Sequence, residues 1–261
     1  MTNRATQPEL LEQRIAENSA SQEVDLVKWI FDRLSGGFGS VLELCCGTGA
    51  QTLPMLRIVG NGGTVVALDV SQEALAALTQ RAQGERASLQ TVCGSLDDLS
   101  AALQSLGLAR PSFDLIFCAY GLYYSSDARK ILDEALSWLN KGGRIAVIGP
   151  FGPNNGPLFD LVRACGAKIP APVIASSESF MTDLVVPWAG VKFKSIRIST
   201  LVNTVRWPTP VRVLNYWQNT TFYSSEHRGE FEQRLAQHFA RHKEFVNEKW
   251  VMMVEMTDAR S

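Results

Sequence analysis

No apolar run in this 261-residue sequence is long enough to cross a bilayer, so the sequence predicts no membrane-spanning helix. The opening residues, MTNRATQPELLEQRIAENSA, lack the apolar core of a secretory leader, which predicts a cytoplasmic protein. Neither sign of charge dominates: 25 basic against 26 acidic side chains leave a net charge of −1. With no Lys/Arg run either, neither nucleic acid nor a membrane is expected as a partner. Cysteine is scarce and odd in number, five in all, with no CxxC pair, which disfavours both a zinc site and a disulfide framework. The sequence predicts that all five are small buried hydrophobes. Of only three histidines, His238 and His242 stand four apart on one predicted helix. They lack an HExxH pattern or a carboxylate at ligand spacing, so no metal is predicted and a surface helix is the expectation.

What is present is alternation of apolar runs with amphipathic segments, the pattern of a parallel sheet covered by helices. Strands are predicted over Val41–Cys45, Thr64–Asp69, Ser88–Cys93, Phe113–Cys118 and Gly143–Ile148, each apolar enough to be covered on both faces. Ser71 and Asp127 are candidate N-caps for helices Gln72–Gln83 and Ala128–Trp138, and Lys141-Gly142-Gly143 should stop the latter. An amphipathic segment, Val24–Leu34, precedes the first strand. Beyond Pro150 the texture loosens, with loop and short helical patterns to Pro187. A sixth strand follows over Val191–Thr200, then helices Pro210–Thr220, capped by Thr209, and Arg228–Arg241, and a last strand over Val246–Met256. The expected fold is α/β: a Rossmann-like, seven-stranded, mostly parallel sheet with helices on both faces. The expected organisation is an N-terminal helical segment (1–36), a ligand-binding core (37–150), a substrate-covering insertion (151–190) and a C-terminal completion of the sheet (191–261).

The decisive segment is VLELCCGTGA, Val41 to Ala50. A strand ends in a tight turn whose Gly47 and Gly49 permit positive φ and close approach of a ligand. The helix that follows offers unpaired N–H groups. Asp69 ends the second strand, where an acid can grip two ribose hydroxyls. A dinucleotide fingerprint would need a third small residue, which Ala50-Gln51-Thr52 does not supply at the required place. Glu43, inside the strand, would repel a pyrophosphate but suits a ligand carrying an ammonium and a sulfonium.

These motifs resemble the class I S-adenosylmethionine-dependent methyltransferases. VLELCCGTGA resembles the first family motif, with Glu43, Gly47 and Gly49 matching and Cys45 replacing its first glycine. VVALDVS resembles the second motif, CGSLDDL the third-strand motif with Gly94-Ser95 for the common Gly-Asp, and FDLIFCAYGLYY and ALSWLNKGGRIAVIGP the fourth and fifth. The resemblance covers about Val24–Pro150 well and the C-terminal strands more loosely. It implies S-adenosylmethionine as cofactor, held by Glu43, Cys45, Gly47, Thr48, Gly49, Asp69, Val70, Gly94, Ser95, Leu96, Cys118, Ala119 and Tyr120. It also implies in-line displacement at the methyl group, a reaction that needs positioning more than acid–base chemistry.

Loops after the fourth and fifth strands should wall the acceptor site, through Tyr123, Tyr124, Phe151, Asn154 and Asn155. Asn215, Tyr216, Trp217 and Asn219 add aromatic and amide surface, with core packing an equal reading for Tyr216 and Trp217. Tyr124 is the candidate catalytic side chain, as an orienting phenol. The reading is methyl transfer to a nitrogen or oxygen of a small-molecule acceptor. Ring-carbon methylation of a quinone-like molecule, a nicotinamide oxidoreductase and a catalytically silent binding subunit are the alternatives.

Overall fold

The computed structural model describes residues 3–34 and 36–260, so residues 1, 2 and 35 of the expected N-terminal segment lie outside the described part. Its strands are β1 (Ser40–Leu44), β2 (Thr64–Asp69), β3 (Ser88–Cys93), β4 (Phe113–Ala119), β5 (Leu139–Pro150), β6 (Phe193–Trp207) and β7 (Phe245–Ala259). Its α-helices are α1 (Pro8–Ser19), α2 (Leu26–Phe31), α3 (Thr52–Val59), α4 (Gln72–Arg81), α5 (Leu99–Ser105) and α6 (Ala128–Trp138). They continue with α7 (Gly156–Ala164), α8 (Ala171–Glu178), α9 (Val186–Lys192), α10 (Pro210–Gln218) and α11 (Arg228–Phe239).

The strands form one seven-stranded sheet in the order β3-β2-β1-β4-β5-β7-β6. β1 pairs in parallel with β2 and β4, β2 with β3, and β4 with β5. The order reverses between β1 and β4, which opens a ligand crevice beyond their C-terminal ends. The α/β expectation therefore holds.

The caps follow the sequence closely. The Ser71 side chain accepts from the Ala74 amide and Asp127 from the Lys130 amide. Each satisfies one of the orphan donors at a helix start. Four expectations need correction. Lys141-Gly142-Gly143 does not stop α6; that helix ends at Trp138, and the glycines lie within β5, where the register with β4 shifts. β3 is not covered on both faces, because it is the sheet edge; Ser88 and Cys93 are exposed there, so Cys93 is no buried hydrophobe. Thr209 occupies the N-cap position of α10 without a side-chain capping bond, leaving Pro210 to set the first turn. The stretch after Pro150 is more helical than its composition suggests, carrying α7, α8, a π-turn over Met181–Val185 and α9.

The chain folds into two compact units. One comprises the described parts of Val27–Gly149, Met181–Ser199 and Met252–Ser261, and contains β1 to β4 with parts of the other strands. Here Val41, Leu42, Val65, Ala67, Leu68, Leu115 and Phe117 are almost wholly buried. The buried Glu255 of β7 accepts from Arg144 of β5 at 2.7 Å and from Arg197 of β6. That pairing satisfies a carboxylate whose burial alone would be costly. The other unit comprises the described part of Met1–Leu26, Pro150–Phe180 and Thr200–Val251. Its core gathers Phe159, Trp207, Trp217, Phe231 and Phe245.

Candidate active site

β1 ends at Leu44 and the chain turns sharply. Cys45 takes φ 58°, Gly47 53° and Gly49 88°. A left-handed residue other than glycine costs about 1–2 kcal/mol. Cys45 thus keeps the backbone geometry of the glycine it replaces. Gly49 has no such latitude: a Cβ there would lie 2.3 Å from Leu78 Cδ1 of α4. The turn is held from three sides. The Gly47 amide donates to Asp69 Oδ2 at 2.8 Å, the Arg81 guanidinium donates to the Thr48 carbonyl at 2.8 Å, and Gly49 N–H donates to the Cys46 carbonyl at 3.0 Å. Asp69 Oδ1 meanwhile accepts from the Ser71 amide at 2.9 Å. The acid at the end of β2 is therefore both the expected ribose ligand and a brace for the glycine turn.

Glu43 sits one residue inside β1, flanked by Ala67 of β2 and Phe117 of β4, and is only 2% exposed. Its Oε2 is buried with no hydrogen-bond partner. Burial pushes the carboxyl up to about 8; the neighbouring Thr52 hydroxyl opposes the rise and the Asp69 carboxylate adds to it. An orphaned buried carboxyl oxygen beneath a glycine turn fits a ligand ammonium, because the ligand would supply the missing donor. The residues thus fit S-adenosylmethionine.

The opposite wall comes from β4. Cys118 is buried and Ala119 half-buried, and Tyr120 takes φ 58° as its amide donates to Ile148 O at 2.9 Å. Two non-glycine residues in the left-handed region, Cys45 and Tyr120, thus follow adjacent parallel strands. Such strain concentrates at functional sites. The Cys118 thiol in contact with Cys45, together with burial, raises the Cys45 pKa well above the ordinary range, so it stays a neutral thiol. Gly121 makes room for it, since a Cβ there would lie 2.2 Å from Cys45 Cβ and 2.6 Å from its Sγ. Gly121→Ala should therefore cost about 1–3 kcal/mol through overpacking. Cys45→Gly should restore most of that loss in the double variant; denaturant titrations that show simple additivity would contradict the account.

The remaining cofactor candidates are arranged as follows. Val70 is 42% exposed after β2. The Gly94 amide donates to Asp69 O at 3.0 Å, which ties the end of β3 to β2. Ser95 Oγ accepts from the Asp97 amide and caps a 3-10 turn that starts at the buried Leu96. Thr48 is buried, with its carbonyl engaged by Arg81. Tyr123 and Tyr124 lie in a 3-10 turn over Leu122–Tyr124, half-buried, with ring centroids 4.8 Å apart.

The other acceptor candidates belong to the second unit. Asn154 is buried and spoken for at both ends of its amide: Oδ1 accepts from the Trp250 amide and Nδ2 donates to Ser177 Oγ. Phe151 packs edge-on against Trp250. Asn219 donates to the Asn215 carbonyl at 2.7 Å, and Asn215 donates to Glu17 at 3.4 Å. Trp217 is fully buried and stacks on Phe231 with centroids 4.0 Å apart. Of its two open readings, core packing is the one the structure favours. Asn155 and Tyr216 do come together, through Lys249. His238 and His242 stack at 4.5 Å, with His238 Nε2 3.0 Å from the Glu244 carbonyl.

Sequence reasoning did not single out Thr52, Arg81, Gly121 or Lys249. Gly121 was the most legible, a glycine two residues beyond the end of a strand in the AYG run. Lys249 left no signal, because one charged residue in an alternating strand reads as solvent-facing.

A Rossmann-like sheet, a glycine turn, an acid at the end of β2 and a buried acid beneath the turn define an α/β protein built to hold an adenosyl ligand with an amino-acid tail. Residues 41–143 match the family model described as a methyltransferase domain. The chain is 31% identical over 109 residues to the demethylmenaquinone methyltransferase of Lactococcus lactis, covering 42% of this chain and 41% of that protein. The chain thus spans about two-fifths of that relative's length. Among solved structures, the YcgJ protein of Bacillus subtilis superposes with TM-score 0.57 at 14% identity, covering 89% of this chain and 97% of that one. An arsenic(III) S-adenosylmethionine methyltransferase from Chlamydomonas reinhardtii superposes with TM-score 0.52 at 16% identity, covering 94% and 73%. At such identities the superpositions establish the fold. The match to the methyltransferase domain covers residues 41–143 of the chain. No helix among the described residues is long and apolar enough to cross a membrane.

Proposed function

We propose that this chain transfers the methyl group of S-adenosylmethionine to a nitrogen or oxygen of a small-molecule acceptor in the cytoplasm, with neither nucleic acid nor a membrane as partner. The observation that carries the cofactor half is Glu43, a buried carboxyl with an unpartnered oxygen beneath the Gly47–Gly49 turn. Glu43 would take the cofactor ammonium, and Asp69 the ribose hydroxyls. Ser95, Leu96 and Val70 would border the adenine. The cofactor supplies an electrophilic methyl on a sulfonium. The chain's own part is to orient and to exclude water. Tyr120, Tyr123 and Tyr124 would offer ring faces to the cationic centre, and the Tyr124 phenol would orient the acceptor. Methylation of a quinone-like ring carbon is the second reading, favoured by the name of the Lactococcus relative. The match to that relative covers only part of either chain.

Calorimetry tests the cofactor half. S-adenosylmethionine should bind and NADH should not; the reverse would make the chain a nicotinamide enzyme. Asp69→Ala should weaken S-adenosylmethionine by about 1–3 kcal/mol, the scale of losing a charge-assisted hydrogen bond. Unchanged affinity in the folded variant would reduce Asp69 to a brace. A mass-gain screen of amines, phenols and quinols with the wild-type protein separates nitrogen or oxygen transfer from carbon transfer, and a silent subunit would give no product.

A further inference from the structure

Within the second unit, two cations converge on one phenol without a carboxylate. Lys249 of β7, half-buried, points its ammonium at the Tyr216 hydroxyl of α10 and donates to Asn155 Oδ1 at 2.5 Å. Asn155 Oδ1 is shared with the Asn247 amide at 3.0 Å. Neither of Lys249's polar partners is a carboxylate, and its third N–H has none among the described residues. α1 packs on α10 and brings Arg14 close enough for its charge to act on both Tyr216 and Lys249. Arg14 is half-buried and forms no ion pair among the described residues. The neighbouring Asn18 Oδ1 is buried with no hydrogen-bond partner.

Buried or half-buried cations in folded proteins are paired, because desolvation of an unpaired charge is costly. Elsewhere in this unit Arg212 pairs with Glu17, and Arg206 with Glu23 and Glu244. At Tyr216 the charges of two cations, Arg14 and Lys249, act on one phenol instead, and burial lowers the Lys249 pKa. An anion placed there would satisfy both charges, and a donor on the same molecule would satisfy Asn18.

We infer that Arg14, Lys249 and Tyr216 form a recognition site for the carboxylate of a small hydroxy- or amino-carboxylate, with Asn18 accepting from its hydroxyl or amine. This deepens the acceptor reading above and rests on it for the link to methyl transfer. The Trp207 ring, 4.9 Å from that of Tyr216, gives the site an aromatic side. The site thus favours an aromatic acid.

The test is calorimetric and omits the cofactor, so its outcome is independent of whether S-adenosylmethionine binds. The full chain is titrated with 4-hydroxybenzoate and with its neutral methyl ester. The acid should bind more tightly by about 10-fold or more, the scale of a hydrogen bond to a charged group. Arg14→Met and Lys249→Met should each remove that preference and leave the ester affinity unchanged. Arg14 lies on helix α1 and Lys249 on strand β7, so the two variants perturb different elements. The inference is overturned if acid and ester bind alike, if 4-hydroxybenzoate at millimolar concentration does not bind, or if the preference survives in Arg14→Met. Tyrosinate absorbance in the resting protein at neutral pH would also overturn it, since Tyr216 would then itself be the anion.

Discussion

Glu43→Gln is expected to weaken S-adenosylmethionine by about 10- to 100-fold at about pH 9, the range for losing a hydrogen bond to a charged group. The same variant should be more stable than the wild type at that pH. Both effects have one cause. The folded chain holds the Glu43 proton up to about pH 8, whereas an unfolded glutamate releases it near 4.5. Between these values the folded state binds more protons than the unfolded one, so its stability falls as pH rises. The contribution is fully present below 4.5 and is lost through about 8. Glutamine has no such slope. Cofactor affinity runs the other way, because the ammonium needs the ionised acid. The ratio of wild-type to variant affinity should therefore shrink towards unity at about pH 6, where the acid is protonated before binding. Paired calorimetric titrations and thermal melts across this range check both signs. A ratio independent of pH would show that Glu43 does not meet the ammonium.

The second large effect concerns Trp217. As an acceptor-site residue its truncation would raise KM and leave folding largely intact. As a core residue, fully buried and stacked on Phe231, with the Tyr223 ring edge-on at 4.9 Å, its truncation leaves a cavity. Trp217→Ala is expected to destabilise the protein by about 3–5 kcal/mol. Trp217→Phe should be much milder, because the indole N–H is buried without a partner and its removal forfeits no hydrogen bond. Urea unfolding of both variants reads this directly. Wild-type stability in Trp217→Ala would return the residue to the acceptor surface.

The correct and incorrect readings of the sequence divide along physical lines. The bounds of β2, β3 and α6 matched their residues because strand patterning and caps are local. Lys141-Gly142-Gly143 misled for the same reason. Glycine after a helix reads as a stop, but here α6 had already ended and the pair lies within β5, where its register with β4 shifts. Cys93 was read as buried because apolarity is visible in sequence, while position at the sheet edge is not.

The glycine turn, Glu43 and Asp69 were legible because they fall at the ends of two neighbouring strands, a short stretch apart in the sequence. What only tertiary structure decided is who stands opposite whom. It put Gly121 against Cys45, two residues 76 positions apart whose sizes are complementary only because β1 and β4 are neighbours. It packed Trp217 into a core rather than leaving it on a wall. It also brought Arg14, Tyr216 and Lys249, from two helices and a strand far apart in the chain, into one place. Charge balance in the sequence counts cations and anions, and only the fold determines which of them meet.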